Sequence, residues 1–139
     1  MAIGTTGNEI DPDGIVHPVH YNMHPCGLEV CEVTDYLDFN LGSLFKYVVR
    51  HDLKNGHHDV KKAIWYAERE VQNESWRTFD PDSDRGLELE IALSKFIDAE
   101  PDQRVHDVLD ALYALLFGPG LPDDLVAACK SLEIARRKP

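Results

Sequence analysis

Residues 41–71 read LGSLFKYVVRHDLKNGHHDVKKAIWYAEREV, and the spacing of apolar side chains in this stretch decides the fold. Leu41, Leu44, Phe45, Val48 and Val49 recur at i, i+3, i+4, i+7 and i+8, one side of a helix that turns ~100° per residue. Asn55-Gly56 is a stop signal, and Val60, Ala63, Ile64, Ala67 and Val71 then repeat the same period. The spacing predicts two antiparallel helices, near 40–52 and 58–73, each with one apolar face to bury.

Working outward, Glu29 to about Leu37 fits a short helix, and 74–85 (ESWRTFDPDSDR) has the composition of a loop. Leu87–Asp98 is expected to be helical, with Leu89, Leu93, Phe96 and Ile97 on one side and Leu87 and Ile91 on the other. Val105, Val108, Leu109, Leu112, Leu115 and Leu116 give the cleanest stripe in the chain, a helix near 104–117 ended by Gly118-Pro119-Gly120. A last helix, near 123–137, carries Leu125, Ala128, Cys129 and Leu132 behind an aspartate cap. No stretch alternates with period two, so the expected fold is an all-α, compact helical bundle. Residues 1–16 lack periodicity and are expected to be a flexible N-terminal arm. His17–Gly27, punctuated by Pro18 and Pro25, is expected to be an irregular loop. At 139 residues the chain has room for one core, so 74–139 should pack on the same core as 17–73.

Composition removes several functional classes. A net charge of −11 opposes binding to long nucleic acid, which is driven by cations that neutralise phosphates. No apolar run reaches the ~18–20 residues of a membrane span, and the start of the chain has neither a basic nor an apolar leader region, which points to the cytoplasm and away from membranes. Cys26, Cys31 and Cys129 are too few to staple a domain of this size and are expected to be reduced thiols. Charge is unevenly distributed. Residues 1–45 hold no Lys or Arg, whereas Lys46, Arg50, Lys54, Lys61 and Lys62 follow within one short stretch. A local positive segment in an acidic chain suits a small anion such as a nucleotide phosphate.

Helical geometry places Ser43, Lys46 and Arg50 opposite the first stripe, and Lys62, Trp65 and Arg69 opposite the second, with Tyr66 beside them. A Trp and a Tyr facing water invite cover by a ligand, a partner subunit or the C-terminal helices. Basic groups beside flat rings suit a nucleotide, whose phosphates need cations and whose base stacks. The simpler reading packs Trp65 and Tyr66 against Leu87–Phe117 while the cations extend to solvent.

His17-Pro18-x-His20-Tyr21, Gly27-x-Glu29-Val30, Leu41-Gly42, Lys46-Tyr47-x-x-Arg50, Lys54-Asn55 and Asp59-x-Lys61-Lys62-Ala63-x-Trp65-Tyr66 occur in that order. Together they resemble a family of small bacteriophage proteins labelled nucleotide kinase-like, over about residues 17–72. The resemblance implies a phage protein of the host cytoplasm that binds or phosphorylates deoxynucleotides, with ATP as phosphate donor. It implies a substrate loop of His17, His20 and Tyr21, and a catalytic phosphate site at Lys46 and Arg50. Tyr47, Lys54, Lys61, Lys62, Trp65 and Tyr66 would be further substrate-binding positions. The chain departs from the family pattern at Ser43, His24 and Cys26, which bears on substrate specificity. Residues 73–139 carry no such resemblance.

Phosphoryl transfer commonly uses a Gly-rich loop, a Lys and carboxylate-held magnesium. Neither GxxxxGK[ST] nor GxGxxG occurs here, so an ATP site would be built from helix-borne Lys and Arg, with Glu29, Glu32 and Asp59 holding magnesium through water. Glu29-x-x-Glu32-x-x-Asp35 and Asp107-x-x-Asp110 also put carboxylates on single helix faces, as in all-α magnesium-dependent pyrophosphohydrolases, although such acids are commonly a solvated face. His17, His20, His24, Cys26 and Cys31 are close enough in sequence for zinc but match no established ligand spacing. A non-catalytic protein that sequesters nucleotides or nucleotide signals, or an acidic blocker of a host protein, is the alternative from outside enzymology. The apolar content on more than one side of 87–117, together with Trp65 and Tyr66 on the reverse of a short helix, predicts a homo-oligomer.

Overall fold

The structure, a computed structural model, describes residues 24–51 and 56–137. Among the described residues there are six α-helices and no strand, so the fold is all-α. They are α1 (Cys31–Thr34), α2 (Phe39–Arg50), α3 (His57–Asn73), α4 (Asp84–Ala99), α5 (Gln103–Phe117) and α6 (Pro122–Arg136), with a 3₁₀ turn at Ser75–Thr78. No helix among them is long and apolar enough to cross a membrane. The expected arm 1–16 lies outside the described residues.

Helix boundaries follow their caps. Asp38 opens α2 by accepting from the Leu41 amide at 2.9 Å. Ser83 opens α4 by accepting from Gly86 N at 3.0 Å, which starts that helix three residues before the expected Leu87. Asp102 opens α5 through the amides of Arg104 and Val105, and at α6 the Asp124 carboxylate accepts from Leu121 N at 3.2 Å beside a Pro at the first helical position. The expected helix at Glu29–Leu37 shrinks to the single turn of α1, continued by i→i+3 bonds at Tyr36 and Leu37. Gly86 sits against the preceding turn, where an added Cβ would lie 2.5 Å from the Asp80 carbonyl oxygen.

The two stripes of 41–71 meet as the sequence requires. α3 packs on α2 along one side and on α6 along another; α5 joins α6 to α4, and α1 bridges α2 and α4. Leu41, Leu44, Phe45 and Val48 of α2 and Val60, Ala63 and Ala67 of α3 are buried together with Leu89, Leu93, Phe96, Leu109, Leu112 and Leu132. Phe45 and Phe96 meet edge to face at 5.0 Å, fastening the first half of the chain to the second within one core.

Of the two faces read as outward, the second is so, with Lys62, Trp65 and Arg69 exposed, and the first differs from expectation. Ser43 and Arg50 are buried, Arg50 to 5% exposure. The reason is Asp59, fully buried at the start of α3, whose Oδ2 lies 3.3 Å from Arg50 Nε. A charge can leave water when a partner neutralises it, and the partner comes from the next helix. Trp65 does not pack beneath α4 and α5, since α3 is covered by α2 and α6; it stands 56% exposed.

Candidate functional site

The site grows from α2 and α3 lying side by side. Tyr47, half-buried on α2, is surrounded by cations: Lys46 Nζ lies 4.8 Å from its ring centroid, Arg50 Cζ 4.7 Å and, from α3, Lys62 Nζ 5.2 Å. Tyr66 of α3 stacks on Tyr47 at 6.0 Å with a 14° interplanar angle. Trp65 meets Tyr66 edge-on at 5.0 Å, and Arg69 Cζ lies 5.4 Å from the Trp65 ring. Phe39, at the first position of α2 and 75% exposed, closes the row against Tyr66 at 5.7 Å. A short helical hairpin thus carries four aromatic rings with four cations among them.

Asp59 organises the cations. Besides Arg50 it holds Lys62, whose Nζ lies 3.9 Å from Oδ1. Among the described residues, three cations gather at Tyr47 and one carboxylate, Asp59, pairs with two of them, in a chain of net charge −11. Lys46 also lines a cavity of about 320 Å³ together with Thr34, Asp38, Phe39 and Ser43. A ligand in that cavity meets an ammonium group, a hydroxyl and an exposed ring at once.

Of the positions expected to bind substrate, the structure therefore brings together Lys46, Tyr47, Arg50, Lys62, Trp65 and Tyr66. Lys61 is exposed and is not among the cations at the Tyr47 ring. His17, His20, Tyr21 and Lys54 lie outside the described residues. Phe39 was not singled out by the sequence. Its signal is its position immediately after the Asp38 cap, where helical geometry turns it away from Leu41 and Leu44.

Glu29, Glu32 and Asp59 are not brought together as a magnesium set. Glu32 turns back to accept from the Glu29 amide at 2.8 Å, and Asp59 is enclosed with Arg50 on another helix. Among the described residues, the group whose ligand atoms lie within 4.8 Å of one another is His106, Asp107 and Asp110 on α5, where His106 Nδ1 and Asp110 Oδ2 are 3.0 Å apart. This group is on a different helix from the cations.

Among the described residues, His24, Cys26 and Cys31 do not converge as a metal-ligand group, while His17 and His20 lie outside them. His24 uses both ring nitrogens: Nδ1 accepts from Cys26 N at 3.1 Å and Nε2 faces Glu100 Oε1 at 3.0 Å. Burial pushes the Cys26 thiol up, and burial followed by the charge of Glu29 pushes Cys31 up, so neither is activated as a nucleophile.

A family model described as a protein of unknown function, DUF3310, matches residues 15–68. The matched stretch takes in α1, α2 and most of α3, with Lys46, Tyr47, Arg50, Lys62, Trp65 and Tyr66, and leaves out Arg69 and helices α4 to α6. Neither a curated protein nor a solved structure matches the chain.

Proposed function

We propose that the chain binds a nucleotide on the α2–α3 face, with phosphate at Lys46 and Lys62 and the base against the exposed rings of Phe39 or Trp65. The observation that carries this is the set of three cations around Tyr47 beside exposed aromatic faces. The acidic remainder of the chain repels long polyanions and leaves a small one as the fitting ligand. A deoxynucleotide handled in a host cytoplasm is the substrate class favoured by the likeness to nucleotide kinase-like phage proteins. Kinase turnover with ATP and magnesium is the finer form of this proposal. Binding is its primary form, because Asp59, the described carboxylate paired with these cations, is already engaged by Arg50 and Lys62.

Calorimetric titration with deoxynucleoside mono- and triphosphates tests it. Arg50 is unsuitable as the sole probe because its ion pair also supports the core. Lys46→Gln and Lys62→Gln are each expected to weaken binding about five- to ten-fold, a partly screened charge-assisted contact, while Lys130→Gln on the surface of α6 leaves it unchanged. Equal affinity in all four proteins, or no binding by the wild type, overturns the proposal. Chromatography of ATP, magnesium and each deoxynucleoside monophosphate after incubation decides whether phosphoryl transfer accompanies binding.

Assembly belongs to the same proposal. Leu87 and Ile91, one turn apart on α4, are 50% and 60% exposed, and a second copy of the chain is the proposed cover. A monomer mass by light scattering at micromolar concentration overturns it.

A further inference from the structure

The Lys46 cavity, of about 320 Å³, lies between the end of α1 and the first turns of α2. Three donor groups on its lining are unspent. Ser43 is only 9% exposed, and a serine inside a helix commonly bonds its hydroxyl to the carbonyl one turn back. This hydroxyl makes no hydrogen bond among the described residues, yet it is not sealed from solvent, and the residue lines the cavity. Thr34, half-buried at the last position of α1, likewise makes no side-chain hydrogen bond there. No described carboxylate pairs with Lys46. Gly42 brings the two walls together, since a Cβ at that position would lie 3.6 Å from Thr34 Cβ.

The charged groups on the lining are Lys46 and Asp38, and Asp38 is already engaged. Its Oδ1 accepts from Leu41 N at 2.9 Å, and its Oδ2 contacts the Ser75 hydroxyl. That hydroxyl also lies 2.6 and 2.9 Å from the two oxygens of Glu70. Asp38 moreover caps the N-terminus of α2, where the helix dipole offsets its charge. Lys46 therefore carries the uncompensated charge of the cavity, and an anion is the ligand that fits it.

We infer that this cavity seats a terminal phosphate, with Lys46 neutralising it, the Ser43 and Thr34 hydroxyls donating to its oxygens, and the flat group it carries resting on Phe39. The number of donor groups decides the anion. A terminal phosphate offers three oxygens in three directions, matching one ammonium and two hydroxyls drawn from two helices, whereas a carboxylate offers two in one plane. Phe39 lies on the same lining and is 75% exposed, while Trp65 and Lys62 are not on it, so the cavity selects between the two exposed rings. The inference rests on the nucleotide reading for the identity of the flat group, and deepens it by naming the donors and the ring.

The test is calorimetric titration of the full chain with phenyl phosphate, with each deoxynucleoside monophosphate and, as a planar anion, with benzoate. Phenyl phosphate is expected to bind at least about ten-fold tighter than benzoate. Ser43→Ala and Thr34→Val, which keep the shape and remove a hydroxyl, should each weaken phosphate binding about five- to ten-fold. Their melting temperatures should match the wild type, because neither hydroxyl has a partner in the fold. Phe39→Leu should weaken binding as well, and Lys130→Gln should leave it unchanged. Equal affinity for benzoate, or phosphate binding undiminished by both hydroxyl substitutions or by Phe39→Leu, overturns the inference. Deoxynucleotides that bind, lose affinity with Lys46→Gln and ignore Ser43→Ala and Thr34→Val overturn it while the nucleotide reading stands. Phenyl phosphate that binds through the two hydroxyls while no deoxynucleotide binds supports the seat and overturns the nucleotide reading. A wild type that binds neither phosphate overturns both.

Discussion

The α2–α3 hairpin and the α4–α5 pair are both two helices of similar length, yet they are held together by different physics. α4 and α5 bury Leu89, Ala92, Leu93, Phe96, Val105, Val108, Leu109, Leu112, Leu115 and Leu116, together with Gly86, and no charged group. The hairpin buries Asn40, Ser43, Arg50, Asp59 and Glu70 alongside its apolar stripe, with His51 at the end of α2. One half is specified by volume and the other by matched polar partners. Volume tolerates conservative change, whereas a buried polar group tolerates only its own partner. The half specified by partners is the one that carries the cations and rings.

The largest expected effect tests that division directly. Asp59→Ala removes one side of a buried ion pair and should cost about 3–5 kcal/mol by denaturant unfolding. Replacing both partners, Arg50→Leu with Asp59→Leu, should recover most of that loss, since neither charge is then left uncompensated. A single substitution costing less than ~1 kcal/mol would show that the pair is solvated and the contrast unfounded.

Next comes a matched pair of mild changes. Leu112→Met in α5 should cost less than ~1.5 kcal/mol because volume is conserved. Glu70→Gln is as small a change in shape, but it puts donors where Ser75 and the Trp76 amide also donate, and should cost about 1–3 kcal/mol. Equal costs in thermal and denaturant melts would erase the contrast.

Acid provides a third measurement, at the contact between α3 and α6. Hydrogen bonds from Arg137, and then from His57, hold the Glu133 carboxyl down at about 2 from an ordinary 4.5. A carboxylate lowered on folding contributes stability that is complete above its unfolded value and is lost as pH falls through the folded one. Melting temperature should therefore fall between pH 5 and pH 2, and Glu133→Gln should flatten that limb. An identical acid limb in the variant would assign the loss to other carboxylates.

The smallest effect needs no variant. Burial pushes the Cys129 thiol up to about 12, whereas Cys31 is exposed. A thiol reagent under native conditions should modify Cys31 slowly and leave Cys129 intact until unfolding, as read by mass spectrometry. Early modification of Cys129 would mean that α6 opens far more readily than its packing indicates.

Periodicity explains why the helices were legible. Stripes at 41–49, 60–71 and 105–116 report which side is buried, whereas the starts set by Ser83, Asp102 and Pro122 carry no period and were not read. The cation and ring positions were legible for the same reason, since Lys46, Lys62, Trp65 and Tyr66 fall off the stripes. Arg50 was misread because a charge opposite an apolar stripe looks solvent-facing when its partner is nine residues away on another helix. Glu70 drew no notice at all. Its partners, Ser75 and the amide of Trp76, come from a stretch that composition describes only as a loop. Pairing across a turn leaves no period in a sequence.

The Asp38–Ser75–Glu70 contact has a kinetic corollary. Asp38 fastens the first amides of α2, and Glu70 fastens the chain as it leaves α3, with one serine hydroxyl between them. Two helix ends separated by more than thirty positions in sequence therefore open as one unit. In hydrogen exchange the amides of Leu41 and Trp76 should share a single opening free energy, and Ser75→Ala should split it into two.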